Sequence, residues 1–527
     1  MTGNSYTKRI LLLIFAITAA VTLFIMIKRN VDVPYTGKKP NNTEVLQDDR
    51  KNADTEKKID ALSYQMNLFL DTESDCLDEV VTMEIQNNTD TAISELCIRN
   101  MNPAFLKYSK DNYGEANQNK NSEITSITLK DSNERINVRY TDENTTLYVN
   151  LGQENTVYPG EIVSLTMKLK TDIPDRPDRF AVQKTQKGKI YTISFCFPYL
   201  ADNVDGVWLL DPFFDDGESR SHDLADYSVT FEAPESYNVA ATGVNKTENG
   251  KTTILAKNAR DFAIVACDFM EMETFEVDGV IINNYYLDGK YVEEYKRLSK
   301  MIAKDSVQIF SSQVGKCLYD EIDVVPCLFG FAFGGMEYPG LVMINASSFF
   351  AGEFYDGWAL SETISHEIAH QWFYASVGNM EYREGWIDEG FATYLERDVF
   401  ALTECETYTY LLETDELFPS IESNIRFRDE QIENARKDYK NIYLNVSPDD
   451  YPKEQFYSQA EYEGSYMFLQ EVRLQLGDEM FKKFLMDFYA TYTMKVVDTE
   501  EVLEFIRGYD NSEKMEEIIG FYFKLDL

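Results

Sequence analysis

The stretch SHEIAHQWF, residues 365–373, decides how this chain is interpreted. The chain has only three histidines in 527 residues, and two of them, His366 and His370, lie four positions apart. Residues four apart on an α-helix share one face, so both imidazoles can bind the same metal ion. Glu367 lies beside that face, where a carboxylate can take a proton from an activated water molecule. The pattern predicts a hydrolytic metal centre.

A third metal ligand is present downstream, in REGWIDEGFATYLE, residues 383–396. An HExxH pattern can arise by chance on an amphipathic helix, so it needs such a partner. Glu389 lies on a second helical segment, and a hairpin of two helices would bring it to the histidines. Two imidazoles and one carboxylate leave the fourth position of a tetrahedral zinc site open for water. We therefore predict one Zn²⁺ per chain, bound by His366, His370 and Glu389.

The N-terminal region predicts a membrane anchor. Residues 10–27, ILLLIFAITAAVTLFIMI, carry no charge and have basic residues on both sides. The run is just long enough to span a bilayer, and no small-residue cleavage site precedes the basic pair at its end. We expect a short tail at 1–9, a single transmembrane helix at 10–27 and a flexible polar linker at 28–58. The catalytic domain is then extracytoplasmic; the alternative is secretion after signal cleavage.

The texture of the sequence changes along the rest of the chain. Segments such as VVTMEIQNNTD and EIVSLTMKLK alternate apolar and polar residues, which predicts an antiparallel β domain over 59–275. Helical periods dominate 276–527, which we expect to form the catalytic domain. The helix that carries the histidines is predicted to begin after an N-cap at Ser361 and to stop at Gly378.

Composition excludes one class of partner. Lysines and arginines number 50 against 90 aspartates and glutamates, a formal net charge of −40. A nucleic acid needs a basic face, so we expect no nucleic-acid partner. The seven cysteines show no metal-ligand spacing and define no disulfide. The third histidine, His222, is predicted to be a surface or loop residue. The sequence does not indicate an oligomeric state.

Two motifs together resemble a known family. HEIAHQWF followed by WIDEGFATYLE is similar to the gluzincin aminopeptidases of peptidase family M1. FGGMEYPGL, residues 333–341, resembles the exopeptidase motif of that family. The resemblance implies that Gly334, Gly335, Met336 and Glu337 bind substrate. A carboxylate beside the zinc, here Glu337, can hold the free amine of a peptide and place its first peptide bond over the metal.

A third motif also resembles the family, with two departures. AEYEGSYMF, residues 460–468, places Tyr462 where the family has a tyrosine that stabilises the transition state, as a phenol can by donating to an oxyanion. Gly464 stands where the family usually has Lys. Tyr338 stands where it usually has Asn, which puts in doubt any contact made by that Asn.

The resemblance extends over most of the chain after about residue 60. DPFFDDGESRSHDLADYSVTFEAPESYNVAATG, residues 211–243, looks like the N-terminal β-sheet saddle of the family. The implied fold is multidomain: the saddle, then a thermolysin-like, mostly helical α+β domain, in a short form without the large helical C-terminal domain. The implied function is a membrane-anchored zinc aminopeptidase acting on peptides with a free N-terminus. The alternatives are a zinc endopeptidase and an inactive, membrane-tethered peptide-binding module.

Overall fold

The computed structural model describes residues 57–524 with short gaps. The gaps are 130–135, 142–143, 205, 216, 218–222, 331–332, 353–355, 416–417, 441, 449–450 and 452–454. The predicted tail, the predicted anchor, all but the last two residues of the predicted linker, and His222 lie outside the described residues. Within the described ranges, no helix combines the length and apolarity needed to cross a membrane.

The first half of the described chain is built almost entirely of strands. They are β1 (Ile59–Asp71), β2 (Cys76–Asn87), β3 (Glu95–Arg99), β4 (Ser122–Leu129), β5 (Asn137–Thr141), β6 (Thr146–Asn150), β7 (Ile162–Asp172), β8 (Phe180–Lys184), β9 (Lys189–Ser194), β10 (Tyr199–Leu200), β11 (Asn203–Val204), β12 (Val207–Trp208), β13 (Ala225–Glu232), β14 (Asn238–Ala241), β15 (Val244–Glu248), β16 (Lys251–Ala259) and β17 (Ala263–Cys267). One helix, α1 (Asn102–Asn112), interrupts them, with a short 3₁₀ turn at Glu115–Asn117. The predicted β domain is therefore present.

The largest sheet has seven strands in the order β15-β16-β13-β1-β2-β7-β4. Its central strands alternate buried and more exposed residues, as in β1, where Met66, Leu68 and Leu70 are buried. The sheet is not purely antiparallel as predicted, because β1 and β13 pair in parallel. Alternation reports which face of a strand is buried and carries no information on strand direction, so the sequence could not reveal this pair.

Smaller sheets complete the β domain. Their orders are β10-β3-β6-β5, β11-β12 and β14-β17-β9-β8. The last of these sheets is buried on both faces at many positions, and every residue of β17 is buried. It lies against the catalytic half, as the shared core described below shows.

The second half begins with five more strands. They are β18 (Met270–Val277), β19 (Val280–Leu287), β20 (Glu321–Cys327), β21 (Gly335–Met336) and β22 (Leu341–Asn345), in the sheet order β18-β19-β20-β22-β21. The predicted boundary at 275/276 stays a prediction; these residues lie in β18, the first strand of this sheet. β18 and β19 form a hairpin through Asp278 and Gly279, both at positive φ.

Helices form the remainder of the catalytic half. They are α2 (Val292–Gln313), α3 (Ser347–Ala351), α4 (Gly357–Ala369), α5 (Glu381–Glu384), α6 (Trp386–Tyr394), α7 (Glu406–Thr414), α8 (Ile421–Asp438), α9 (Gln455–Ser458), α10 (Ser465–Leu476), α11 (Asp478–Tyr492), α12 (Thr499–Arg507) and α13 (Glu513–Tyr522). Two segments are π-helical. Leu395–Phe400 directly follows α6, and Gln459–Gly464 directly precedes α10. Both neighbour residues of the site described below, where π-helical turns are common.

The bounds predicted for the histidine helix are wrong at both ends. Asp356 is the N-cap of α4, since its side chain accepts a hydrogen bond of 2.9 Å from the Ala359 amide. Ser361 lies within the first turns of the helix. The helix ends at Ala369 with His370 as its C-cap, well before Gly378. The residues after His370 are apolar because they are buried in a turn, and this burial imitated a continuing helix.

A core shared between the two halves fixes the strand that carries the exopeptidase-like motif. Met336, Tyr338 and Met343 of the catalytic half pack against residues of β9 and β17, including Ile190 and Val265. Each half also has its own larger core. All seven cysteines are free thiols, and none is part of a disulfide.

Candidate active site

Two helices bring the three predicted zinc ligands together. His366 lies in the last turn of α4, His370 caps it, and Glu389 lies in the first turn of α6. The Nε2 atoms of the histidines are 3.2 Å apart, and Glu389 Oε2 is 3.1 Å from His366 Nε2 and 3.5 Å from His370 Nε2. Zinc bonds of about 2.0–2.1 Å in tetrahedral geometry imply ligand separations of about 3.3 Å. The triangle of atoms therefore fits a zinc ion.

The opposite nitrogens of both histidines have acceptors. His366 Nδ1 lies 3.1 Å from Glu396 Oε2, and His370 Nδ1 lies 3.0 Å from the carbonyl oxygen of Phe373. Each acceptor fixes the tautomer that carries its proton on Nδ1, leaving Nε2 free to donate its electron pair to a metal. The available Nε2 electron pairs are a second, independent observation that fits zinc. Within the described residues, His366, His370 and Glu389 are the one cluster of three side chains that could hold a metal ion.

Tyr462 reaches the same centre from the second π-helical segment. Its hydroxyl donates a hydrogen bond of 2.6 Å to Glu389 Oε1, while Glu389 Oε2 faces the histidines. Close packing makes this approach possible, because a Cβ on Gly390 would come within 2.6 Å of the Ser465 Cβ. The helix of Glu389 can thus lie against the segment of Tyr462 only with glycine at this position.

The predicted exopeptidase motif lies on the other side of Glu367. Gly335 and Met336 form β21, at the end of the five-stranded sheet. A Cβ on Gly335 would lie 2.5 Å from the carboxyl carbon of Glu367, so the strand passes directly over the general-base candidate. Glu337 follows in sequence and is 8% exposed. Glycine at 335 is therefore a packing requirement of the site.

Several carboxyl groups of the site lie close enough to influence one another. Burial, with a smaller contribution from the negative charge of Glu337, raises the pKa of Glu367 to about 8. Burial and then the Glu389 carboxylate raise the pKa of Tyr462 well above its usual value, so this phenol is a proton donor. Burial also raises the pKa of Glu389, but hydrogen bonds from His366 and His370 outweigh it and hold that pKa low. This environment favours a cation over an anion.

The other predicted motif residues have mixed environments. Gly334 is exposed, whereas the Met336 side chain is buried in the core shared by the two halves. The side chain of Tyr338 is fully buried and extends towards β9, where its hydroxyl meets Ser194. At the position where the family usually has Asn, this chain thus has a tyrosine whose side chain is directed into the core. Gly464 is also buried, against Leu444.

Sequence reasoning missed Glu396 as part of the site. It lies seven residues after Glu389, two helical turns along, and is 8% exposed. The spacing was visible in WIDEGFATYLE, but a lone helical glutamate is usually solvated. The π-helical segment that begins at Leu395 was not predictable, and it decides where the carboxylate points.

We predict that Glu396→Gln weakens zinc binding about tenfold or more. The carboxylate makes the His366 imidazole more basic and holds its orientation, and removal of such partners costs about 10–100-fold in metal affinity. Zinc dissociation constants can be measured by competition with a chromogenic chelator. The matched control is Glu463→Gln, which removes a carboxylate that pairs with Arg397 of the same segment and touches neither histidine. Equal zinc affinity in all three proteins would contradict the role given to Glu396.

The comparisons with known proteins point to one family. The sequence pattern of the peptidase family M1 domain matches residues 311–522. Aminopeptidase B of Mus musculus is 29% identical over 237 residues, which are 44% of this chain and 34% of that protein. Aminopeptidase O of Homo sapiens is 26% identical over 219 residues, 39% of this chain and 26% of that protein. The chain thus matches about a third of the length of these curated relatives.

Solved structures agree on the fold. An M1 zinc metallopeptidase from Deinococcus radiodurans superposes with a TM-score of 0.58 at 17% identity, covering 89% of this chain and 95% of that one. A two-domain M1 zinc metallopeptidase mutant bound to L-tryptophan gives the same values. The cofactor prediction, one Zn²⁺ ion, is confirmed by this family and by the ligand geometry. The helix pair that carries His366, His370 and Glu389 lies within residues 311–522, the part of the chain that matches the peptidase family M1 domain.

Proposed function

We propose that this chain is a zinc-dependent aminopeptidase that removes the N-terminal residue from peptides. One observation carries the proposal: Glu337, a buried carboxylate, directly follows the strand that covers Glu367 and is close enough for its charge to raise the pKa of Glu367. A carboxylate there pairs with an ammonium group and excludes a blocked N-terminus, which cannot carry that charge. The anchored ammonium sets how much of the substrate extends past the metal, namely one residue.

Each residue has a defined task in the reaction. Zinc, when bound, supplies Lewis-acid polarisation of the scissile carbonyl and lowers the pKa of water. Glu367 accepts the proton of the attacking water and delivers it to the leaving nitrogen. Tyr462 has one hydroxyl proton, which Glu389 Oε1 accepts in the structure. To donate to the substrate oxyanion, the Tyr462 hydroxyl must therefore give up its hydrogen bond to Glu389. The new hydrogen bond, which stabilises the oxyanion, compensates for the one that is lost.

The relatives support the substrate class. Curated proteins that match include aminopeptidases B and O and leucine aminopeptidase 2 of Ajellomyces capsulatus (strain NAm1 / WU24), the last 26% identical over 196 residues that cover 37% of this chain and 29% of that protein. A mutant of the Deinococcus radiodurans enzyme is described as bound to the substrate Tyr-Ser-Ala, and a two-domain M1 zinc metallopeptidase mutant as bound to L-arginine. A short peptide with a free amine is therefore a suitable first substrate.

We expect the full-length, zinc-loaded chain to release tyrosine from Tyr-Ser-Ala and to leave N-acetyl-Tyr-Ser-Ala intact. The ammonium group is the part of the substrate that Glu337 binds, and acetylation removes its charge. Products can be identified by mass spectrometry. In Glu337→Gln, we expect the preference for the free amine to fall about tenfold or more, since a charge-assisted hydrogen bond contributes about 1.5–3 kcal/mol.

The outcomes separate the alternatives. Internal cleavage of a longer peptide in both its free and acetylated forms would indicate an endopeptidase. Binding of the free peptide without cleavage, with zinc present, would indicate a peptide-binding module. A Glu337→Gln protein that keeps full preference for the free amine would refute the role of this carboxylate, while its unchanged zinc content would show that the metal site is intact.

We predict that Gly335→Ala lowers kcat/KM about 100-fold while zinc remains bound. The added Cβ would overlap the carboxyl group of Glu367, and a displacement of about 1 Å of a reacting group can cost that much. The matched control is Gly334→Ala, whose Cβ would meet only Thr363 atoms, at 3.8 Å or more. It should cause a far smaller loss. Equal losses in the two variants would show that the effect is not due to displacement of Glu367.

We also propose that the chain is anchored in the cell membrane through residues 10–27, with its catalytic domain extracytoplasmic. The uncharged run and its basic flanks support this proposal. After carbonate extraction of cell membranes, the full chain should stay in the pellet with its N-terminus intact, and deletion of 10–27 should release it. Recovery from the medium without its first residues would support secretion, and recovery of the uncleaved chain in the soluble fraction would refute both.

A further inference from the structure

Tyr338 links the exopeptidase-like motif to the β domain. Its hydroxyl lies 2.6 Å from Ser194 Oγ, at the end of β9, and both side chains are fully buried. Ser194 Oγ in turn donates a hydrogen bond of 2.7 Å to the carbonyl oxygen of Arg179. The serine has one proton and uses it there. Tyr338 is therefore the donor to Ser194, and the two hydrogen bonds form one directed chain.

The backbone around Tyr338 is fixed by the zinc helix as well. The Tyr338 carbonyl oxygen accepts from Gln371 Nε2 at 3.2 Å, and Gln371 Oε1 accepts from the Gly340 amide at 2.8 Å. Gln371 directly follows the zinc ligand His370 and is fully buried. The segment after Glu337 is thus tied at its backbone to the turn that directly follows the zinc helix, and at the Tyr338 side chain to β9.

The residue before Glu337 is fixed too. Met336 pairs with Met343 in the antiparallel ladder of β21 and β22, and its side chain is buried in the shared core. Glu337 therefore lies between two residues that are each held in place. Its carboxylate can have a defined position relative to Glu367 only because both neighbours are fixed, and a defined position is what recognition of an ammonium group requires.

We infer that Tyr338 is a positioning residue for recognition of the substrate ammonium group by Glu337, acting through Ser194 of the β domain. This inference rests on the proposed function, since it assumes that Glu337 binds the amine. It assigns a role to the residue by which this chain departs from the usual family motif. It also means that the β domain contributes to substrate selection although it does not touch the substrate.

The competing explanation is packing alone. The Tyr338 ring fills the core between the halves, and a phenylalanine ring fills the same space. Tyr338→Phe therefore removes the hydrogen bond and keeps the packing, whereas Ser194→Ala removes the same bond from the other side. If the bond positions Glu337, both changes should weaken amine recognition, and the double variant should be no worse than either single one.

The test measures binding, so that it does not depend on turnover. Zinc-loaded, full-length Glu367→Gln protein is titrated with Tyr-Ser-Ala and with N-acetyl-Tyr-Ser-Ala by calorimetry. Adding Tyr338→Phe or Ser194→Ala should weaken binding of the free-amine peptide about fivefold, the typical net effect of one hydrogen bond, and leave the acetylated peptide unchanged. In protein with intact Glu367, KM should rise by a similar factor while kcat stays within about twofold.

The matched control is Tyr191→Phe. Tyr191 lies on the same strand, β9, is fully buried, and donates a hydrogen bond of 2.6 Å to Asp75 Oδ1. The Tyr191→Phe variant loses a buried tyrosine hydrogen bond on the same strand. Tyr191 does not contact the exopeptidase-like motif, so peptide binding should not change. A loss equal to that of Tyr338→Phe would show general loosening and overturn the inference.

The remaining outcomes distinguish this inference from the proposed function. If the parent Glu367→Gln protein binds both peptides equally, the amine role of Glu337 fails and the inference fails with it. If the parent prefers the free amine and both Tyr338→Phe and Ser194→Ala keep that preference in full, only the inference fails. Should Tyr338→Phe not fold, Ser194→Ala decides between these outcomes by the same titration.

Discussion

The structure of the catalytic half depends on the convergence of two imidazoles and one carboxylate on a single point. His366, His370 and Glu389 hold their ligand atoms within 3.1–3.5 Å of one another. Taking an ionised group out of water costs several kcal/mol, and several carboxylates are buried here. A tightly bound zinc ion contributes on the order of 10 kcal/mol, which is large enough to offset that cost. Metal binding can thus stabilise the dense cluster of acidic side chains.

Close backbone approach is the condition for this convergence. Gly390 lets α6 lie against the segment that carries Tyr462, and Gly335 lets β21 cross directly over Glu367. A methyl group at either place would overlap a neighbouring atom at about 2.5 Å, well inside van der Waals contact. These glycines act by the space they leave empty. They determine how near Glu367, Tyr462 and β21 come to His366, His370 and Glu389.

The β domain takes part in the site through the shared core. β9 and β17 pack against the strand of the exopeptidase-like motif, and the buried hydroxyl of Tyr338 extends that contact to Ser194. Buried Arg260 of the β half strengthens the junction by donating to the carbonyl oxygens of Tyr374 and Lys495. The geometry around Glu337 is therefore set jointly by both halves.

The sequence by itself predicted the cluster of His366, His370 and Glu389, the resemblance to peptidase family M1 and the succession of a β half and a helical half, because spacing on one helix and alternation along strands are local properties. It did not determine the parallel pairing of β1 with β13 or the end of α4 at Ala369. Each of these depends on which distant segments become neighbours. The same reason explains Glu396, whose direction is decided by a π-helical turn, and Tyr338, whose partner lies 144 residues away. The residue types of the candidate site could be read from the sequence, whereas the positions of their side chains were decided only by tertiary packing.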